Sequence, residues 1–254
     1  MKISIVTICY NSASTIEGTI KSVLSQNYPD VEYIIIDGGS TDRTVDIIKK
    51  YQDKIAHFVS EKDRGIYDAM NKGVRLATGD VVGILNSDDL YADDGVLESV
   101  ARALDASPSS DACYGDLVYV DQADTNKITR TWRSGDFSEA KIRGGWIVPH
   151  PAFFPRRQLY ERLGYFRLDL RLAGDYELLL RWIEKGKIKM TYVPKVFVRM
   201  REGGDSNKSI GNRLEGWRNL RDSWIMNGLT PPPFFILRRV ITQLPQFFKK
   251  NTER

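Results

Sequence analysis

Val81-Val82-Gly83-Ile84-Leu85-Asn86-Ser87-Asp88-Asp89 is the stretch that decides the fold. Five residues without a polar side chain run unbroken and then stop at two adjacent carboxylates. A short run of this kind, too brief for a helix, reads as a strand buried on both faces, the habit of parallel sheets. Working outward, Ile3–Ile8 and Val31–Ile36 have the same texture, and the second ends directly at Asp37. Ile55–Val59 predicts a third strand, with Asp63 just beyond it. Between the first two strands, Ser14-Thr15-Ile16-Glu17 has the capping-box pattern. Ile16, Ile20, Val23 and Leu24 then recur at helical spacing and put one apolar stripe on the sheet. A second helix follows Gly38–Asp42 with Val45, Ile48 and Tyr51 inward, and a third spans Ile66–Ala77. Strands alternating with helices mean βαβ units and a mostly parallel sheet. Right-handed crossovers then bring the strand C-termini to one edge, where open α/β sheets bind ligands.

After Ser107-Pro108-Ser109-Ser110 the texture changes. Cys113–Val120 and Lys127–Trp132, joined by the polar turn Asp121–Asn126, predict an antiparallel hairpin. Ile147–Phe154 reads as extended, and Ala173–Lys185 as a helix burying Leu178, Leu179, Trp182 and Ile183. Val193–Met200 reads as a strand broken at Pro194, Gly203–Ser206 as loop, and Ile210–Asn227 as helix. Thr230-Pro231-Pro232-Pro233 is a stop and stiff spacer. No repeat or low-complexity tract interrupts the chain, and the two halves are expected to share one sheet.

The 254 residues are 42% hydrophobic and 28% charged, which excludes disordered, collagen-like and coiled-coil classes. Two cysteines, Cys9 and Cys113, and two histidines exclude a structural zinc site. Met1-Lys2 leads straight into the first strand, too short for a secretory apolar core, and no run of eighteen apolar residues occurs. A cytoplasmic protein is expected. No Gly-x-Gly-x-x-Gly follows the first strand, against a dinucleotide-dependent oxidoreductase. Tyr10-Asn11-Ser12 stands where a nucleotidyltransferase needs a Gly-rich basic loop.

Asp37, Asp63 and Asp88-Asp89 thus converge on one crevice. Like charges held together call for a compensating cation, and oxygen donors suit Mg²⁺ or Mn²⁺ bound together with substrate phosphates. Aspartates also cap helices and form turns, which suffices for Asp42 and Asp94. Two adjacent aspartates after a buried strand, with Asp37 placed equivalently, favour the metal–phosphate centre.

Five segments, in order, resemble family 2 glycosyltransferases, inverting enzymes of the GT-A fold. They are Thr7-Ile8-Cys9-Tyr10-Asn11, Ile36–Asp42, Glu61–Gly73, Leu85-Asn86-Ser87-Asp88-Asp89 and Ala173–Leu178. The resemblance covers about residues 1–200, and five ordered motifs are far more specific than any one. It implies a GT-A, Rossmann-like mostly parallel sheet with an acceptor-side α+β half and a C-terminal helical tail. Residues 1–229 form the transferase domain, 1–106 its nucleotide-sugar half and 107–229 its acceptor half, with 230–254 as the tail. The resemblance places Thr7, Tyr10 and Asn11 along the base, with Tyr10 offering a stacking face. Asp37 would accept from base or ribose, Asp88 bind ribose or sugar, and Asp89 hold the metal. Asn86 stands for the first Asp of the family's Asp-x-Asp motif, keeping an oxygen and losing a charge. Arg64 and Lys72 are diphosphate candidates, though Lys72 also fits a solvated helix position.

Transfer requires a stabilised leaving diphosphate and an acceptor hydroxyl deprotonated as it attacks. Asp175, at a helix start in the acceptor half, is the expected base, with Glu177 as runner-up. One carboxylate suffices for inversion, whereas a retaining double displacement would need two. His150, between Pro149 and Pro151, reads as an acceptor or diphosphate contact, and Trp146, Trp132 and Tyr67 as an aromatic acceptor platform or core. His57, Cys9 and Cys113 read as structural. The Gln-x-x-Arg-Trp motif and membrane helices of processive relatives are absent from the sequence, so one sugar per acceptor is expected. The expected donor is a UDP-sugar and the acceptor a saccharide or lipid-linked saccharide of bacterial cell-surface polysaccharide. A non-catalytic nucleotide-sugar-binding protein of an assembly complex is the alternative.

The net charge of +4 has an address. Residues 1–229 hold 32 basic and 32 acidic residues, whereas 230–254 hold five basic and one acidic. The body is neutral, so a nucleic-acid partner is not expected. Phe234–Ile241 and Leu244–Lys250 mix large apolar residues with basic pairs, the composition of an interfacial helix on anionic lipid kinked at Pro245. Docking on the protein itself is the alternative. Peripheral association with the inner face of the cytoplasmic membrane is the corresponding location.

Overall fold

The computed structural model describes residues 1–203, 210–244 and 246. The nucleotide half runs β1 (Ile3–Cys9), α1 (Ile16–Leu24), β2 (Val31–Asp37), α2 (Thr44–Lys49), β3 (His57–Ser60), α3 (Ile66–Leu76) and β4 (Val81–Asn86). β5 (Leu90–Tyr91) and α4 (Val96–Ala106) follow. The second half comprises β6 (Ala112–Val120), β7 (Ile128–Trp132), α5 (Glu139–Arg143), β8 (Phe153–Pro155), α6 (Gln158–Leu163), α7 (Gly174–Leu180) and β9 (Met190–Arg201). α8 (Ile210–Met226) and α9 (Phe235–Gln243) close the described chain.

The α/β expectation holds, with the first sheet parallel throughout in the order β3-β2-β1-β4. Its strands are buried nearly end to end, as their unbroken apolar runs demand. The expected shared sheet does not form. A second sheet, β5-β9-β6-β7 with β8 on β6, stands apart, joined to the first among the described residues by one bridge, Val81–Arg156. β8 is three residues long and ends at Pro155, which has no N–H to extend a ladder toward β4. Side chains join the halves instead. One core gathers Val6, Ile34 and Met70 with Tyr114, Leu178 and Trp182. The other gathers Ile5, Ile20 and Leu97 with Cys113, Phe154 and Phe197.

Several local expectations change. The capping box does not close: Thr15 precedes α1 without a side-chain cap bond. Glu17 instead accepts from Tyr51 Oη at 2.7 Å and pairs with Lys21 at 3.1 Å. β9 passes through Pro194 unbroken, because a bulge opposite Gly115 absorbs the missing donor. Ile147–Phe154 is interrupted by a 3₁₀ turn at His150–Ala152, and the helix expected over Ala173–Lys185 becomes π-helical at Arg181–Lys185. Of the Gly203–Ser206 loop, residues 204–206 lie outside the described residues, as do Pro245 and residues 247–254.

Candidate active site

Strand register assembles the site. Cys9 pairs with Asp37 across β1 and β2, and Ile8 pairs with Asn86 across β1 and β4. The loops after all three strands therefore meet at one edge, and hydrogen bonds brace them together. Asn11 N–H donates to Ser40 Oγ at 2.8 Å, and Thr41 N–H donates to Asn11 Oδ1 at 2.9 Å. Ser12 N–H donates to Thr44 Oγ1 at 2.7 Å, and the Ser12 and Ser87 hydroxyls lie 2.8 Å apart.

This bracing consumes some residues expected at the nucleotide. Thr7 is fully buried in β1, where its hydroxyl accepts from Tyr33 at 3.1 Å. Asp37 is also fully buried. Its Oδ2 accepts from Ser40 N–H at 3.0 Å and from Ser60 Oγ at 2.6 Å, while Oδ1 accepts from Ser40 Oγ at 2.5 Å. Asn11 spends its amide oxygen on Thr41. Thr7 and Asp37 are closed off in this way, whereas Asn11 stays exposed at the rim and Tyr10, 62% exposed, offers its ring to solvent. Asp63 packs against the Cα of Gly38 and accepts from Gly65 N–H at 2.8 Å, so a second carboxylate stands over this loop. Burial, with Asp37, Asp42 and Asp63 nearby, pushes the Cys9 thiol well up, leaving it an inert core group.

Lys72 Nζ sits 2.8 Å from Glu61 and 3.6 Å from Asp68, bracing the segment before α3. Those contacts fit the solvated-helix alternative better than a diphosphate contact. Arg64 pairs with Asp68 at 3.2 Å, yet its side chain remains 75% exposed and available to a ligand.

At the tip of β4, Asp89 is 1% exposed. Its Oδ2 accepts from Asn86 Nδ2 at 3.0 Å, but its Oδ1 and the Asn86 Oδ1 are buried with no hydrogen-bond partner among the described residues. Burial first, and the adjacent Asp88 charge second, raise the Asp89 carboxyl well above the ordinary range. Two orphaned oxygens beside a second carboxylate fit a hard divalent cation, which takes oxygen donors. Among the described residues no group of three or more His, Cys, Asp or Glu converges, so such an ion would draw its other ligands from phosphate and water. Arg201 on β9 donates through Nη1 to the Asp88 carbonyl at 2.5 Å and fixes this turn from behind.

On the acceptor side, Asp175 Oδ1 accepts from Tyr67 Oη at 3.1 Å. Burial, then the Asp175 charge, holds the Tyr67 phenol far above its usual pKa, so it stays a donor. A Cβ on Gly174 would lie 2.7 Å from the Tyr67 ring, so glycine permits this approach. His150 stacks edge-on to Phe166 at 5.7 Å, and burial lowers its pKa against the pull of Asp175, which favours the neutral imidazole. Trp146 lies against Tyr114 and Lys141, its indole N–H buried without a partner.

Glu177 is not an available base. It is fully buried and accepts from Arg181 Nε and Asn227 Nδ2, each at 2.9 Å. Glu177→Ala is expected to cost about 3–5 kcal/mol by stranding Arg181, read as a lowered denaturant midpoint. A stability within about 0.5 kcal/mol of wild type would contradict that structural role.

Arg239 of α9 is the residue local sequence did not announce. It donates to the Gly145 carbonyl at 3.0 Å, lies 5.3 Å over the Tyr176 ring, and feels the Asp175 charge. Burial raises the Tyr119 phenol on β6, against the pull of Arg130 and Arg239.

The family model for glycosyl transferase family 2 matches residues 4–164. The chain belongs to that family. It is thus a glycosyltransferase. An uncharacterized glycosyltransferase of Mycobacterium tuberculosis is 34% identical over 185 residues, covering 70% of this chain and 68% of that protein. A PGL/p-HBAD biosynthesis glycosyltransferase of Mycobacterium bovis is 30% identical over 210 residues, covering 82% and 79%. Among solved structures, S. aureus TarS 1-349 in complex with UDP-GlcNAc superposes with a TM-score of 0.68 at 20% identity, over 89% of this chain and 66% of that one. The mannosyltransferase PcManGT from Pyrobaculum calidifontis, in complex with GDP-Man and Mn²⁺, gives 0.65 at 23%, over 96% and 69%. This family 2 chain spans 39% of a longer TarS structure. At such identities the likeness carries the GT-A fold.

Proposed function

We propose that this glycosyltransferase is an inverting, divalent-metal-dependent enzyme. It moves one sugar from a UDP-linked donor to a hydroxyl of a glycan or polyprenyl-diphosphate-linked saccharide at the inner face of the cytoplasmic membrane. The observation that carries the reading is the unequal state of the two acceptor-side carboxylates. Asp175 is held through one oxygen by Tyr67, while its other oxygen takes no hydrogen bond among the described residues; Glu177 is locked away.

A single available carboxylate suits a single displacement. The acceptor oxygen attacks the anomeric carbon, its proton passes to Asp175, and the sugar–phosphate C–O bond breaks with its electron pair left on the nucleotide diphosphate. Tyr67 and the Gly174 contact hold Asp175 in place for that proton, and a neutral His150 would add no competing charge. Asp88, Asp89 and Asn86 would hold Mg²⁺ or Mn²⁺, which when bound offsets charge gathering on the departing diphosphate. Tyr10 and Arg64 face solvent at the donor edge, suited to base and diphosphate. The nucleotide sugars named with TarS and PcManGT support a nucleoside-diphosphate donor for this chain, and the PGL/p-HBAD biosynthesis relative is consistent with surface-glycoconjugate assembly.

A panel of UDP-, GDP- and dTDP-sugars, titrated calorimetrically with Mn²⁺ or with EDTA, tests this. Metal-dependent binding of a UDP-sugar, followed by UDP release with acceptor, is the expected result. Equal binding in EDTA would remove the metal from the reading. Tight binding without nucleotide release from any donor would favour the non-catalytic alternative.

A further inference from the structure

α9 is amphipathic in the wrong sense for a helix simply docked on a soluble body. Phe234, Leu237, Val240, Ile241 and Leu244 recur at helical spacing and are 77%, 58%, 41%, 53% and 49% exposed. Its opposite face is already committed. Phe235 is buried between Tyr176 and Trp224, and Arg239 reaches the Gly145 carbonyl. Gly145 has φ +96°, and a Cβ there would sit 2.7 Å from the Arg239 backbone, so α9 lies directly on this loop. The helix cannot turn its apolar row inward without losing those contacts.

α8 presents a matching row in Leu214, Trp217 and Ile225, with Arg221 at the same spacing between the last two. A groove of about 530 Å³, lined by Arg221, Pro231, Pro232, Phe234 and Leu237, sets Arg221 of α8 beside the start of the α9 row. Scattered exposed apolar residues are ordinary, but a five-residue row at helical spacing bordering a groove makes a patch. Exposed Arg218, Arg221 and Arg238 stand on or beside it. Of the α8 acids, Glu215 is held by Arg171 at 2.6 Å and Asp222 is half-buried. A two-fold contact between copies would set these arginines against one another, whereas an anionic surface would neutralise them.

We propose that the α8–α9 face seats this protein on an anionic phospholipid bilayer, with α9 lying in the headgroup–acyl boundary. Apolar area and basic charge act together there, as in other interfacial helices. No helix among the described residues is long and apolar enough to cross a membrane, and α9 at nine residues has the length of a helix lying in the plane of the surface. The inference rests on the proposed acceptor only in its consequence. Arg239 projects from the opposite face of α9 onto the Gly145 carbonyl and the ring of Tyr176, the neighbour of Asp175 in the chain, so one helix joins the bilayer face to the region of the proposed base. That arrangement suits an acceptor whose lipid stays in the membrane.

Flotation of the full chain with phosphatidylglycerol/phosphatidylethanolamine vesicles, against pure phosphatidylcholine vesicles, tests the surface without donor or acceptor. Binding to the anionic vesicles alone is expected. R218E/R221E/R238E should weaken it on the order of 100-fold, since each basic residue near such a surface contributes about fivefold. L237E/I241E should abolish it, with nucleotide-sugar binding kept in both variants as the check on folding. Absence of binding to anionic vesicles, or binding unchanged in either variant, overturns the proposal. So does a dimer dispersed by L237E/I241E in a protein that ignores vesicles. Sugar transfer to a water-soluble acceptor is measured separately, so failure of the membrane surface and failure of the transferase reading are told apart.

Discussion

Asp175→Asn is expected to lower sugar transfer by about 10²–10⁴-fold while leaving nucleotide-sugar affinity within about twofold. The substitution is informative because it preserves shape. Asparagine keeps an oxygen where Tyr67 donates, and the close Tyr67–Gly174 contact is untouched. Only the capacity to take the acceptor's proton is removed. Loss of that capacity raises the barrier by about 3–5 kcal/mol, which should appear in kcat with little change in donor KM. Donor affinity should survive because, on the proposed reading, Asp175 takes the acceptor's proton and has no part in holding the donor. Steady-state nucleotide release, with calorimetric donor binding as control, makes the measurement. Full activity in the variant would move the base to His150, the titratable neighbour whose pKa burial lowers.

The route from sequence to this site was legible where chemistry and strand periodicity coincide. Asp37, Asp88 and Asp89 ended buried apolar runs, so strand pairing alone brought their loops together. Helix α4, not among the elements expected from sequence, buries Val96, Leu97, Val100, Ala101 and Leu104 at helical spacing. What sequence could not convey was the use of each polar atom. Thr7, Asn11 and Asp37 belong to motifs expected at the nucleotide, yet three-dimensional proximity turns their donors and acceptors toward Tyr33, Thr41, Ser40 and Ser60. Asp175 and Glu177 are two residues apart and chemically alike. Only the partners brought in by α3 and α8, Tyr67 for one and Asn227 for the other, distinguish their states. Arg239 illustrates the limit most clearly. A basic residue in an apolar tail reads as a lipid contact, and nothing local reveals that the helix turns this one inward to Tyr176 while Arg238 stays outside.

Asp89→Asn is expected to abolish transfer while making the metal-free protein more stable. In the wild type a buried carboxylate has one oxygen with no hydrogen-bond partner among the described residues and another carboxylate beside it. Its folded-state pKa lies above the ordinary 3.8, so the folded chain holds the proton more tightly than the unfolded chain. The sign of the linkage follows. This group's favourable contribution is complete below about pH 3.8 and is lost as pH rises through the folded value. At neutral pH the ionised form is therefore a liability unless a cation offsets it. Asparagine keeps the size and removes the charge, relieving about 1–3 kcal/mol of unsatisfied burial. For a chain of this length each kcal/mol moves the melting temperature by about 2–4 °C. In EDTA the variant should thus melt several degrees above wild type, with the gap closing toward acid pH. Adding Mn²⁺ and donor should reverse the order. Wild type gains about 2.7 kcal/mol when ligand stands at about 100 times its Kd, while the variant gains little. A variant that is less stable in EDTA and still responds to Mn²⁺ would remove Asp89 from the metal. With both outcomes observed, the stability given up at this turn would be the physical trace of the proposed cation site.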